Sequence, residues 1–190
     1  MGISRYSSHL FAGPISRQYL DYFEDQGKFI QALPGVLKKK VLVRLSPNDY
    51  GWDQERRWRD QFPEVKVDIG SKHISKVIKK CRIYISTYNA TTYLESLSWN
   101  IPTIIFWNEE HWELNDDVKP YFDLLKSVGI FHNKPESAAQ MMIEVWNDVE
   151  SWWKSHEVQN ARTKFCKMFS KTPKNPLKEL VCLFRDATSS

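Results

Sequence analysis

Hydrophobic positions along this chain alternate between helical spacing and short continuous runs. From Gln18 to Leu33, Tyr19, Tyr22, Phe23, Phe29, Ile30 and Leu33 fall at roughly helical spacing, and Pro34-Gly35 ends the run. Val41–Leu45 reads as a buried strand, Pro47-Asn48-Asp49 as a turn and Asp53–Gln61 as a surface helix. Val65–Ile69 predicts a second strand closed by Gly70. Ser71 is placed to cap a helix with Ile74, Val77, Ile78 and Cys81 on one face. Arg82–Ser86 predicts a third strand, and Thr92–Trp99 a short helix stopped by Asn100 and Pro102. Thr103–Trp107 is the most strand-like segment. After an acidic loop come a helix from about Val118 to Ser127 and a short strand at Ile130-Phe131 behind Gly129. Pro135 opens a helix whose stripe is Ala138, Met142, Val145, Trp146 and Val149. A second amphipathic helix carries Trp152, Trp153, Phe165 and Phe169, and the tail from Lys171 holds two prolines before a short apolar helix.

Strands alternating with helices at this spacing predict parallel βαβ units and an α/β layered sheet. The 190 residues suit one domain, read here as residues 1–170, with 171–190 as a tail. Nothing approaches the run of about 20 apolar residues that a membrane-spanning helix needs, and the longest, Ile101–Trp107, contains a proline. No secretory signal is visible. The cysteines (Cys81, Cys166, Cys182) are odd in number and widely spaced, which favours reduced thiols in a cytoplasmic setting over a zinc ribbon. The net charge of +4 is mild, compatible with an anionic small ligand or peripheral association with an acidic membrane surface. It lacks the basic stripe of a nucleic-acid binder, so no nucleic-acid partner is expected.

In an open parallel sheet, ligands bind outside the carboxyl ends of the strands. That filter selects Arg44, Ser46 and Asn48, then Ser71 and His73, then Ser86, Thr87, Tyr88, Asn89, Thr91 and Thr92, then Asn108–Asn115. The third group is richest, because five of the seven residues Ser86–Thr92 carry a short hydroxyl or amide side chain. A strand leading straight into a helix start offers unpartnered N–H groups and a partial positive charge, which suit a phosphate or diphosphate. A structural reading stands beside this one: Thr92-x-x-Glu95 matches the capping box, which would make both residues caps. Arg44 has two readings as well, a fork for phosphate or a structural ion pair. The acidic run Glu109, Glu110, Glu113, Asp116 and Asp117 has no convincing metal-ligand spacing and reads as a solvated loop, so no metal is expected. Most tryptophans fall at core spacing; Trp52 and Trp112, in predicted loops at the ligand edge, are the two whose position leaves exposure open.

The stretch Ile85-Ser86-Thr87-Tyr88-Asn89-Ala90-Thr91-Thr92-Tyr93-Leu94-Glu95, followed by Asn100-Ile101-Pro102-Thr103, resembles a signature of transferases of surface-carbohydrate and O-antigen biosynthesis. Val43-Arg44-Leu45 with Gly51-Trp52, Gly129-Ile130, Pro135–Ala139 and Trp152-Trp153 extend the likeness from about Arg5 to Phe169. More distantly, the pattern is similar to the donor domains of GT-B glycosyltransferases. The resemblance implies a Rossmann-like parallel sheet flanked by helices, with extra C-terminal helices. It implies an enzyme whose donor is a nucleotide diphosphate sugar or polyol, with no obligatory cofactor. By position, Thr87, Asn89, Thr91 and Thr92 would hold phosphates, and the strand-end filter adds Ser46, Asn48 and Ser86 as nucleotide or phosphate binders. Arg44 would neutralise the diphosphate, Glu95 would reach the ribose, and Glu113 or Asn115 would lie near the sugar. Such proteins are usually longer, so an acceptor-binding domain supplying the catalytic base is expected ahead of this stretch.

Overall fold

The computed structural model describes residues 16–171 and 175–188. Strands β1 (Leu42–Arg44), β2 (Lys66–Asp68), β3 (Tyr84–Ser86), β4 (Thr103–Phe106) and β5 (Phe131–His132) all pair in parallel. Helices α1 (Tyr19–Ala32), α2 (Gly35–Lys38), α3 (Gln54–Gln61), α4 (Ile74–Ile78), α5 (Thr91–Ser98), α6 (Lys119–Ser127) and α7 (Pro135–Val145) surround and connect them. α8 (Val149–Lys154), α9 (His156–Phe169) and α10 (Pro176–Thr188) follow. This is the expected Rossmann-like α/β class. The strands divide into a β1–β2 ladder and a β3–β4–β5 ladder, where one sheet was expected. Strands of two to four residues carry few ladder bonds each, so packing must hold the layers together.

β4 is the spine, buried at all four positions. Its alternation sends successive side chains to opposite faces. Thr103 bonds Ser96 of α5 on one face at 3.0 Å, while Phe106 stacks on Phe29 of α1 on the other at 5.2 Å between ring centroids. α5, α6 and α9 pack together on the first side, and α1 packs with α7 on the second. Ile104 and Ile105 are fully buried, each side chain contributing about 1.5–3 kcal/mol of transfer free energy.

Local chemistry sets the helix boundaries. Pro135 sits at the first turn of α7, where its missing N–H costs nothing. Asp148 caps α8 through Ser151 N–H, and Ser155 caps α9 through Val158 N–H, so the predicted single amphipathic helix is two. The α4 cap is His73, which accepts from Ser75 N–H, and not Ser71. The turn between α5 and β4 passes through Asn100 in the left-handed region, at φ 57°. Trp153 Nε1 donates to both the carbonyl and the side-chain oxygen of Asn100, at 3.0 and 2.9 Å. Arg162 donates to the Leu97 carbonyl at 2.9 Å, placing a cation at the α5 C-terminus. α8 and α9 thereby fasten the turn that aims β4.

Gly129, which leads into β5, has φ +76°, and a Cβ there would lie 2.6 Å from Met141 Sδ. Gly129→Ala is expected to destabilise by about 1–2 kcal/mol from the left-handed backbone alone, with Met141 displaced. Gly35→Ala, in open space, is expected to be neutral or to stabilise by up to about 1 kcal/mol. Urea denaturation of both variants checks the contrast.

Candidate functional site

α1 lies across the carboxyl ends of β1, β3 and β4 and gathers their loops. Tyr19 stacks on Trp52 of the loop after β1, with centroids 4.1 Å apart and planes 13° from parallel. One turn on, Tyr22 bonds its hydroxyl to Thr87 Oγ1 at 2.8 Å, just beyond β3. The Tyr22 ring also meets the edge of Trp112, beyond β4, at 5.7 Å. Burial pushes the Tyr19 phenol up to about 12 and raises that of Tyr22 further, so both remain protonated donors. Trp112 is thus buried and Trp52 half-buried, so neither takes the exposed position that its loop left open. Both are needed as the surface on which α1 sits.

The loop after β1 is laced by Asp49, a residue whose sequence context marks only a turn. Its carboxylate accepts from the N–H groups of Gly51, Asp53 and Gln54 at 3.1, 2.9 and 2.7 Å. Desolvation would raise this carboxyl, but the backbone donors outweigh it and hold it below the ordinary carboxylate range. Ser46 accepts from Asn48 N–H at 3.3 Å, and Asn48 is exposed.

The Ser86–Thr92 segment turns from β3 into α5 around a set of tyrosines. Ser86 is buried and directs its hydroxyl to the Tyr88 carbonyl at 3.4 Å. Tyr93 donates to Asn89 Oδ1 at 3.0 Å, which leaves the Asn89 amide hydrogens directed the other way. The Tyr88 and Thr92 hydroxyls are 3.4 Å apart. Burial raises the phenols of Tyr84 and Tyr93, so both stay neutral.

The capping-box reading of this segment does not survive. α5 begins at Thr91, so Thr92 is its second residue, and the N-cap position belongs to Ala90, which has no side chain able to cap. The first-turn amides therefore lack the side-chain acceptor that Thr92 and Glu95 would have supplied. Thr91 and Glu95 are exposed and one turn apart, on the same face of α5.

Arg44 does not reach toward this segment in any bond it makes. The β1–β2 register sets it opposite Asp68, and Nη1 donates to Asp68 Oδ2 at 2.6 Å. Nη2 donates to the carbonyls of Gly70 and Lys72. A guanidinium so engaged is a brace between β1 and the loop after β2, which corrects its assignment to a diphosphate.

Beyond β4, Glu113 lines a cleft of about 400 Å³ with Glu109, Lys119 and Asn133, floored by Phe122 and Phe131. Asn133 Oδ1 is buried there without a hydrogen-bond partner. Asn115 accepts from Asp116 N–H at 3.0 Å and through its carbonyl from Val118, opening α6. The residues selected beyond β3 are thus brought together, while Arg44 bonds to β2 and the loop after it, Glu113 lines the cleft beyond β4, and Asn115 opens α6. Tyr22, Tyr84 and Tyr93 went unselected, unlike Tyr88, because aromatic residues in or beside regular elements read as core; the four-residue step from Asn89 to Tyr93 was the available signal.

Arg44→Ala and Asp68→Ala are each expected to destabilise, with a double-mutant-cycle coupling of about 1–2 kcal/mol for this partly buried, charge-assisted pair. A coupling near zero in chemical denaturation would reject the brace.

No curated protein and no solved structure matches the chain. A family model described as LIC12162 family transferase matches residues 1–184. With nearly the whole sequence matched to that description, the chain belongs to the LIC12162 family of transferases.

Proposed function

We propose that this transferase chain holds the activated donor, a nucleotide diphosphate sugar or polyol, of a glycosyltransferase-like enzyme of surface polysaccharide synthesis. The observation that carries the reading is the α5 N-terminus: it stands at the carboxyl end of β3, and its N-cap, Ala90, makes no side-chain cap bond. A diphosphate there would receive those amides and the partial positive charge of the helix end.

The surrounding side chains supply the rest. Thr91 and Thr92 present hydroxyls in the first turn. Where Tyr22 donates to Thr87, the threonine hydroxyl keeps its own proton for an anion. Tyr93 fixes Asn89 so that its amide donors face away from the phenol. Ser86 shapes the loop from inside, and Ser46 and Asn48, in the loop after β1, are further donors for the phosphates. Glu95, one turn beyond Thr91, is suited to a ribose hydroxyl, and Glu113 or Asn115 to the sugar. Charge accumulates on the departing diphosphate as the bond to the sugar breaks, and preorganised amide dipoles stabilise that charge more than the ground state.

Calorimetric titration with a panel of nucleoside diphosphates and their sugar esters is expected to show saturable binding. Thr91→Val and Asn89→Ala should each weaken it about tenfold, the loss of roughly one charge-assisted hydrogen bond. Tyr93→Phe should weaken it less, by releasing Asn89. Heat from none of these ligands, with the fold intact by circular dichroism, would overturn the reading.

A further inference from the structure

The net positive charge and much of the exposed apolar surface fall in one stretch. Residues 162–186 contain seven basic and two acidic side chains, a net of +5 against +4 for the whole chain, so the remainder is slightly acidic. Along α9, Lys164, Lys167 and Met168 are exposed beside the buried Ala161 and Phe165, and the exposed Lys171 follows the helix end. α10 follows, with Leu177, Leu180 and Val181 along one face at 75, 50 and 48% exposure, and Phe184 continues the line at 64%. Lys171 and Glu179 approach to 3.8 Å, tying the start of α10 to the end of α9.

Such a stripe exposed to water is costly unless something covers it. Exposed lysines in the same stretch disfavour a basic partner and suit a surface that is apolar inside and anionic outside. α10 has 13 residues, and among the described residues no helix is long and apolar enough to cross a membrane. A helix of this kind lies in the bilayer interface, with leucines in the acyl boundary and lysines at the headgroups.

We infer that α10 and the end of α9 dock this chain on an anionic lipid bilayer, with Leu177, Leu180 and Val181 inserted at the interface and Lys164 and Lys167 held at the phosphates. The inference is independent of the donor reading, because it concerns surface outside the Ser86–Thr92 segment and needs no nucleotide.

The test is co-sedimentation of the full chain with vesicles of phosphatidylcholine alone and of phosphatidylcholine mixed with phosphatidylglycerol. Binding to the mixed vesicles is expected to exceed binding to the neutral ones by about tenfold or more and to fall in high salt. The triple variant Leu177→Gln, Leu180→Gln, Val181→Gln should lose most of the binding. Lys164→Glu with Lys167→Glu, on a solvent face where folding is not at stake, should remove the preference for anionic vesicles. Equal binding to both vesicle types, no binding to either, or unchanged binding by the lysine variant would overturn the proposal. So would a wild-type dimer in analytical ultracentrifugation that the glutamine variant converts to monomer, since a second copy would then be the occupant.

Discussion

Everything in this fold is arranged around the requirement that β4 meet no water. A strand buried on both faces needs a helical layer on each side, and neither layer can move without exposing isoleucine or phenylalanine. α1 answers that requirement on one face through the Phe29–Phe106 stack. Once fixed there, its first two turns have to lie over the strand ends, which brings Tyr19 and Tyr22 against Trp52, Trp112 and Thr87. The rim of the candidate site is therefore built by the same packing that closes the core. On the opposite face, Trp153, Gln159 and Arg162 fasten the turn between α5 and β4, so the helix whose start is offered to a ligand is also held at its end.

The polar groups at the rim follow one hydrogen-bond logic. A buried phenol must find a partner, and neutral phenols are donors as well as acceptors. Tyr22 and Tyr93 settle on Thr87 and Asn89, groups with bonding capacity left after one bond. The tyrosines thus satisfy themselves and at the same time fix the direction of what remains. Asn89 is the clear instance, since an amide whose oxygen is occupied presents its hydrogens on the other side. Such a rim needs little rearrangement to receive an anion, which reduces the cost of binding.

Much of this was legible from pattern. Periodicity located the strands and most helices to within a residue or two, because burial on one face or both leaves a direct trace in the sequence. Asn100 and Pro102 after α5, and Pro135 at the start of α7, were readable because backbone constraints belong to single residues. What escaped depended on relations between distant positions. Nothing local announces that Arg44 stands opposite Asp68, since a parallel register is set by packing 24 residues apart. The Thr92-x-x-Glu95 spacing fits a capping box on paper, but the helix begins one residue earlier and the motif falls out of register. Trp52 and Trp112 lie in loops and still are not exposed, because α1, far away in sequence, needed a surface to rest on.

The pairing of Arg44 changes where positive potential at the rim can come from. Its charge is cancelled by Asp68 across the ladder, and its second nitrogen is taken by two carbonyls of the loop after β2. Removing that cation from the account leaves the α5 amides as the main source of field beyond β3. Amide dipoles differ from a guanidinium in one respect that matters for a transferase: they act at short range and cannot follow a leaving group that drifts away. On the proposed donor reading, such a site would hold a diphosphate by geometry more than by net charge, and its selectivity would reside in the positions of Thr87, Asn89, Thr91 and Thr92. The exposed Lys164 and Lys167 of α9 belong to a different surface, and the division of charge along the chain separates the two.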